Sequence, residues 1–151
     1  DIITLWDVIE HISDIERAIS QLYSITKSKG KVFILTPDAN SLFDSFANIE
    51  KRLTFSKSQR IMNICLNRYH LHRFTVKGLK IMFERFGFTI EHVEFLQLFS
   101  LKVDEYTDGF APGILKWTNN TFLNKLISKS AMSVIKLLNI KNKIFITATK
   151  D

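Results

Sequence analysis

Cysteine is almost missing. Cys65 stands alone among 151 residues, which excludes an intrachain disulfide and any Cys-x-x-Cys metal or redox pair, and suits a reducing, cytoplasmic setting. Proline occurs twice and glycine five times, at positions 30, 78, 87, 109 and 113, so no Gly-x-Gly turn exists. No apolar run is long enough to span a bilayer: the most apolar late stretch, Phe122 to Ile140, is interrupted by Lys125, Lys129 and Lys136. Internal repeats and low-complexity tracts are absent as well. Acidic residues are in the minority, with 15 Asp and Glu against 21 Lys and Arg, a formal net charge of +6.

An excess of positive charge raises the question of a nucleic-acid or anionic-membrane partner, because clustered cations gain affinity by releasing counterions. Here the charges are dispersed. Lys27, Lys29 and Lys31 flank a turn, Lys51, Arg52, Lys57 and Arg60 fall on an expected helix, and the three late lysines form the polar side of another. The pattern reads as a solvated basic surface, and no nucleic-acid partner is expected. Leu123, Leu126, Ile127, Val134, Leu137 and Leu138 recur at helical spacing; core packing accounts for them, with peripheral membrane contact as the rarer alternative.

The length and an apolar share of 46% suit one domain with a buried core. The chain opens on Asp1 rather than Met and is strand-like at once, so it reads as the later portion of a longer polypeptide. Ile2-Ile3-Thr4-Leu5-Trp6 is a continuous apolar run of the kind buried on both faces of a parallel sheet. Ser13-Asp14-Ile15-Glu16 has the form of a capping box, with Ser13 as cap. The helix that follows shows Ile15, Ala18, Ile19 and Leu22 on one face and is expected to end in the cationic turn Lys-Ser-Lys-Gly30. Lys31 to Thr36 is a second buried-type strand, closed by Pro37.

Strand, helix and strand at this length make a βαβ unit, whose crossover is right-handed and whose strands are parallel. Residues after Trp6 and after Thr36 must then emerge at the same carboxyl edge, where open α/β sheets bind ligands. Asp7, Glu10 and His11 are therefore expected to share a rim with Pro37, Asp38 and Asn40. Beyond it, 41–66 reads as mostly helical, carries Phe43, Phe46, Ile49 and Leu53 on one side, and suits a lid. His70 and His72 precede Thr75, an N-cap for a helix from Val76 to Phe86 that Gly87 ends. Phe88 to Leu98 reads as a third strand of weak alternation, 100–113 as loop, and Lys143 to Thr149 as a fourth strand.

If a short helix begins at Asp7, then Asp7, Glu10 and His11 stand at i, i+3 and i+4 and share one face. Such a face can hold a divalent cation through two carboxylates and an imidazole, with His70 or His72 as fourth ligand. Equally, Glu10 or His11 can act as a general base. The plainest alternative is that Asp7 caps a turn, Glu10 is solvated and His11 bonds a carbonyl.

Taken in order, "DIITLWDVIEHI", "SKGKVFILTPDANSL" and "YHLHRFTVKGLKIMFERFGFTIE" resemble the later half of class I S-adenosylmethionine-dependent methyltransferases, most nearly the ubiquinone-biosynthesis O-methyltransferase branch. The resemblance implies a Rossmann-like sheet of α/β class, here incomplete: Asp1 to Trp6 would be the fourth strand, Lys31 to Thr36 the fifth, Phe88 to Leu98 the sixth, and Lys143 to Thr149 the seventh, antiparallel and inserted beside the fifth. It further implies that Trp6 and Asp7 border the methionine and sulfonium end of S-adenosylmethionine, that Glu10, His11 and His72 serve catalysis at the acceptor, and that His70, Phe43, Phe46 and Tyr106 line the acceptor pocket. In some relatives the acidic-histidine motif holds magnesium, which here would fall on Asp7, Glu10, His11 and His72, with Asp7 where those enzymes usually carry Glu. The family's glycine-rich turn and its ribose-binding acid have no counterpart in this chain.

The resulting expectation is the C-terminal portion of one methyltransferase domain, 1–151, with acceptor-side insertions at 41–67 and 100–120. The whole enzyme would move a methyl group to an oxygen or nitrogen of a small-molecule acceptor, and the segment alone would be inactive. Two other classes compete: a non-catalytic basic module binding RNA or an anionic membrane, and a metal-dependent hydrolase built on Asp7, Glu10, His11 and His72.

Overall fold

The computed structural model describes residues 1–42, 45, 48, 49, 52, 70–97, 130, 133 and 137–151. They fall into two compact units, one formed by Asp1–Ser41, Tyr69–Leu96 and Asn142–Asp151, the other by Leu42–Arg68 and Gln97–Lys141. In the second unit positions 42, 45, 48, 49, 52, 130, 133 and 137 are helical. Phe43, Phe46 and Tyr106, most of the expected lid at 41–67, the whole of 100–120 and most of the late amphipathic stretch lie outside the described residues. Among the described residues no helix is long and apolar enough to cross a membrane.

The first unit is built on four strands, β1 (Ile2–Trp6), β2 (Lys31–Pro37), β3 (Phe88–Leu96) and β4 (Lys143–Lys150), in the order β1-β2-β4-β3. β1 and β2 are parallel, joined through helix α1 (Ile15–Ile25). β4 is antiparallel to both of its neighbours and stands between β2 and β3. This is the α/β sheet expected from the sequence, with the last strand antiparallel and beside the expected fifth.

Alternation along β2 and β4 explains where the core lies. Val32, Ile34, Ile144, Ile146 and Ala148 are fully buried on one face, and they cluster with Ile19 and Leu22 of α1 and with Leu79 and Phe83 of helix α2 (Val76–Arg85). Both helices thus cover the same face, and each large side chain removed from water there contributes on the order of 1.5–3 kcal/mol. The weak alternation of β3 has a local cause. A bulge between Ile90 and His92 adds one residue, so Phe88 and Ile90 before it and Val93 after it all reach the core despite their broken spacing.

Three local expectations need correction. The cap of α1 is Asp14, whose carboxylate accepts from the Arg17 amide at 3.1 Å; an acceptor one position after Ser13 meets the free amide of the first turn, and Glu16 is left to pair with Arg85 at 2.9 Å. The helix also stops at Ile25, two residues short of Lys27, because Thr26 leaves helical geometry and its hydroxyl bonds back to the Leu22 carbonyl at 2.7 Å. The left-handed residue of that connection is Lys29, at φ 61°, while Gly30 is needed for space: a Cβ there would lie 2.8 Å from the Lys27 carbonyl oxygen. By contrast α2 is capped as expected, by Thr75 accepting from the Gly78 amide at 3.1 Å, and it is followed by Gly87 at φ 93°.

Candidate functional site

Parallel pairing of β1 with β2 delivers both strand ends to one edge. Asp7 takes a left-handed conformation, φ 52°, and its amide still donates to the Leu35 carbonyl at 2.9 Å. The chain therefore turns sharply at Asp7, and the short 3-10 turn begins only at Ile9, spanning Ile9–His11. Asp7, Glu10 and His11 accordingly do not share a helical face from Asp7 onward, which corrects the expected i, i+3, i+4 arrangement: a left-handed residue cannot sit in the first turn of a right-handed helix.

Glu10 is the buried centre of the rim, 1% exposed rather than solvated. Its carboxylate oxygen Oε2 accepts a hydrogen bond from the buried Thr36 hydroxyl at 3.0 Å, and its backbone carbonyl accepts from the amides of Leu71 and His72 at 2.8 and 3.1 Å. That second pair lays the strap 70–74 across the strand ends. Phe74 fastens its far end by a parallel bridge to Asp38, with the Ala39 amide donating to the Phe74 carbonyl at 2.9 Å. Asp38 in turn closes its own turn by accepting from the Asn40 amide at 2.9 Å.

The strap sets His70 beside the acid. His70 Nε2 lies 4.0 Å from Glu10 Oε1, and its ring meets that of His11 edge-on at 4.7 Å between centroids. His72 points instead toward Phe74, 5.9 Å away between rings. Among the described residues Glu10 Oε1 and His72 Nε2 are buried with no hydrogen-bond partner. Asp7 is held by a residue the sequence did not suggest: its Oδ1 accepts from Lys143 Nζ at the start of β4. Trp6 stacks on Phe145, with ring centroids 6.0 Å apart and planes inclined by 12°.

Burial raises the Glu10 carboxyl above its ordinary value, against the opposing influence of its own backbone amide and the Thr36 hydroxyl, with Asp7 adding to the rise and Lys143 opposing it. Burial lowers His70, and the neighbouring His11 and Lys143 lower it further, against the opposing pull of Asp7. The two shifts bring the acid and the imidazole toward one another, which eases proton exchange between them.

One carboxylate oxygen and two imidazole nitrogens, from Glu10, His11 and His70, come within 4.8 Å of one another. Asp7 is committed to Lys143, and His72 stands outside the set. A donor group so poor in oxygen does not fit magnesium, which demands near-octahedral oxygen coordination. The expected magnesium set of Asp7, Glu10, His11 and His72 is therefore not the one that converges. Thr36 and Lys143 were missed in the sequence reading. A hydroxyl directly before Pro37 at the end of an apolar strand was a readable signal for Thr36; Lys143, 136 residues from Asp7, left none.

Residues 1–93 match the family described as Methyltransferase domain. No protein of curated function matches the sequence. Among solved structures, the chain is similar to a SAM-dependent methyltransferase from Archaeoglobus fulgidus at 16% identity and TM-score 0.55, covering 99% of this chain and 59% of that one. It is similar to phosphoethanolamine N-methyltransferase 2 of Haemonchus contortus, solved with S-adenosyl-L-methionine, at 16% identity and TM-score 0.53, covering 99% of this chain and 33% of that one. A putative methyltransferase from Bacillus halodurans gives 14% identity and TM-score 0.52, with 99% and 63% covered. The chain thus spans between a third and just under two thirds of the length of these structures. None of these likenesses singles out the ubiquinone-biosynthesis branch.

Proposed function

Because the chain belongs to the methyltransferase-domain family, we propose that it forms the acceptor-side part of an enzyme moving a methyl group from S-adenosylmethionine to an oxygen or nitrogen of a small molecule. The observation that carries this reading is the buried Glu10 carboxylate, bonded on one oxygen by Thr36, free on the other, and flanked by His70 at the carboxyl edge of two parallel strands. Trp6 and Asp7 form the neighbouring wall. Trp6 is 52% exposed and presents an aromatic face, which suits a sulfonium cation, beside the half-exposed Asp7 carboxylate that Lys143 holds.

Bound S-adenosylmethionine supplies an electrophilic methyl carbon; the acceptor's oxygen or nitrogen forms the new bond as the carbon–sulfur bond breaks and the sulfur leaves as a neutral thioether. Glu10 and His70 receive the acceptor's O–H or N–H, so that the lone pair of the oxygen or nitrogen faces that carbon, and the site takes the proton released. His11, exposed beside His70, braces the imidazole and faces incoming acceptor. Thr36 and the two amides of the strap hold Glu10 in place, so little reorganisation is needed when the acceptor arrives. His72, within the strap, packs its ring against Phe74.

The competing basic-module reading finds less support. Lys27, Lys31, Arg85 and Lys143 each face a carboxylate, on Asp1, Glu91, Glu16 and Asp7. The hydrolase reading needs a metal set that Asp7 and His72 do not join. The test is the whole enzyme that contains this part, with isotope-labelled S-adenosylmethionine and a panel of phenolic and amine acceptors, comparing wild type with Glu10→Gln and His70→Ala. Each substitution is expected to lower kcat by roughly 10²–10⁴, the usual contribution of a positioned general base, with cofactor binding retained. Full turnover by Glu10→Gln refutes the assignment.

A further inference from the structure

We propose that Lys143 is a positioning residue of this site: its ammonium clamps Asp7 and, together with Phe145, fixes the turn that faces the methyl donor. The functional half of this inference rests on the reading of Trp6 and Asp7 as the cofactor wall.

Strand direction brings Lys143 there. β4 runs antiparallel to β2, so its first residues stand at the edge where β1 and β2 end; Lys143 pairs with Pro37 and Phe145 with Leu35, while Leu35 also pairs with Trp6. β1 and β4 are not neighbours. Two strand spacings, about 9–10 Å, separate them, and only long side chains bridge that gap. Two such bridges occur on consecutive β1-end residues: the indole of Trp6 stacks on Phe145 across Leu35, and the Asp7 carboxylate meets Lys143 across the end of β2. The Lys143 side chain is only 15% exposed, so the pair is shielded on the lysine side, where an ion pair is worth more than at an open surface. Asp7 also holds an unfavourable left-handed backbone, φ 52°, a conformation that persists only where surrounding contacts impose it. Lys143 supplies that contact.

The experiment has two arms on the whole enzyme. In the first, amide hydrogen exchange compares Asp7, bonded to the Leu35 carbonyl at 2.9 Å, with Lys31, bonded to the Asp1 carbonyl at 2.9 Å at the opposite end of the same strand pair. Lys143→Met is expected to speed exchange at Asp7 by about tenfold, the equivalent of one charge-assisted hydrogen bond, with Lys31 unchanged; Lys143→Arg is expected to restore protection. Equal change at both amides, or no change at Asp7, overturns the clamp whatever the protein's activity. In the second arm, Lys143→Met is expected to raise the KM for S-adenosylmethionine about tenfold with kcat within about threefold of wild type. Where the wild type turns over, a KM unchanged in Lys143→Met overturns the positioning role. A wild type that fails to bind S-adenosylmethionine refutes the proposed function instead, and with it the role toward the cofactor, while the exchange arm still decides the clamp.

Discussion

Replacing Thr36 with Val removes one oxygen and nothing else of consequence to shape, at a position where both partners of a hydrogen bond are buried: Thr36 is 0% exposed and Glu10 1%. The lost bond is the Thr36 hydroxyl to Glu10 Oε2, 3.0 Å, and since Oε1 already lacks a partner, the variant leaves the carboxylate with no side-chain donor. Its cost depends on the charge of Glu10. A hydrogen bond to an ionised group contributes about 1.5–3 kcal/mol, one between neutral groups about 0.5–1.5 kcal/mol, so the destabilisation should grow by about 1 kcal/mol once Glu10 ionises. The direction in pH follows from the raised folded pKa. Against an ordinary value of 4.5, the neutral acid's contribution to stability is fully present below that value and is lost as pH climbs through the raised one. Without Thr36, a donor that favours the carboxylate, that loss becomes larger. Urea denaturation of wild type and Thr36→Val at about pH 4.5 and pH 8 checks this, with the gap between the two proteins expected to widen at the higher pH. A gap of the same size at both pH values would falsify the claim that an ionising Glu10 leans on Thr36.

Other consequences can be read with equal economy. Gly87→Ala is expected to destabilise by about 1–3 kcal/mol, measured by thermal unfolding, because φ is 93° and the new Cβ would lie 2.9 Å from the Tyr23 ring; that ring is held against Phe88 and under the Lys150 ammonium. Phe83→Ala, at a fully buried position shared by α2 and the sheet, is expected to cost about 3–5 kcal/mol, and a loss below 1 kcal/mol would contradict the placement of the core. His70 should titrate in an NMR experiment with its midpoint below the ordinary 6.5; its neutral form then contributes stability above 6.5 that is lost as pH falls through the lowered midpoint. Lys143→Met should move that midpoint upward, since the ammonium is one of the charges that lowers it, and an unmoved midpoint would count against their proximity.

Much of this fold was legible because burial writes itself into local pattern. Two short, continuous apolar runs around an amphipathic helix force a parallel pair, and the parallel pair forces a shared edge; the strands Ile2–Trp6 and Lys31–Pro37 agree with that reading to within a residue. Thr75 and Gly87 bracket α2 where expected, since an N-cap and a left-handed stop act within a single turn. The bulge in β3 was not legible. A one-residue insertion looks in sequence like a loss of alternation, and only its pairing with β4 shows that the apolar side chains still reach one face.

The amino-acid order alone determined that the residues following β1 and β2 gather at one rim, because a crossover of one hand leaves no other place for the ends of those strands to go. It could not determine how those residues divide their work. Whether Asp7 joins Glu10 or turns away depends on a left-handed backbone and on an ammonium from the far end of the chain. Whether Glu10 is solvated or buried depends on Thr36 and on a strap that begins about sixty residues later. Those are contacts between elements distant in sequence, and only the closed sheet brings them within bonding distance.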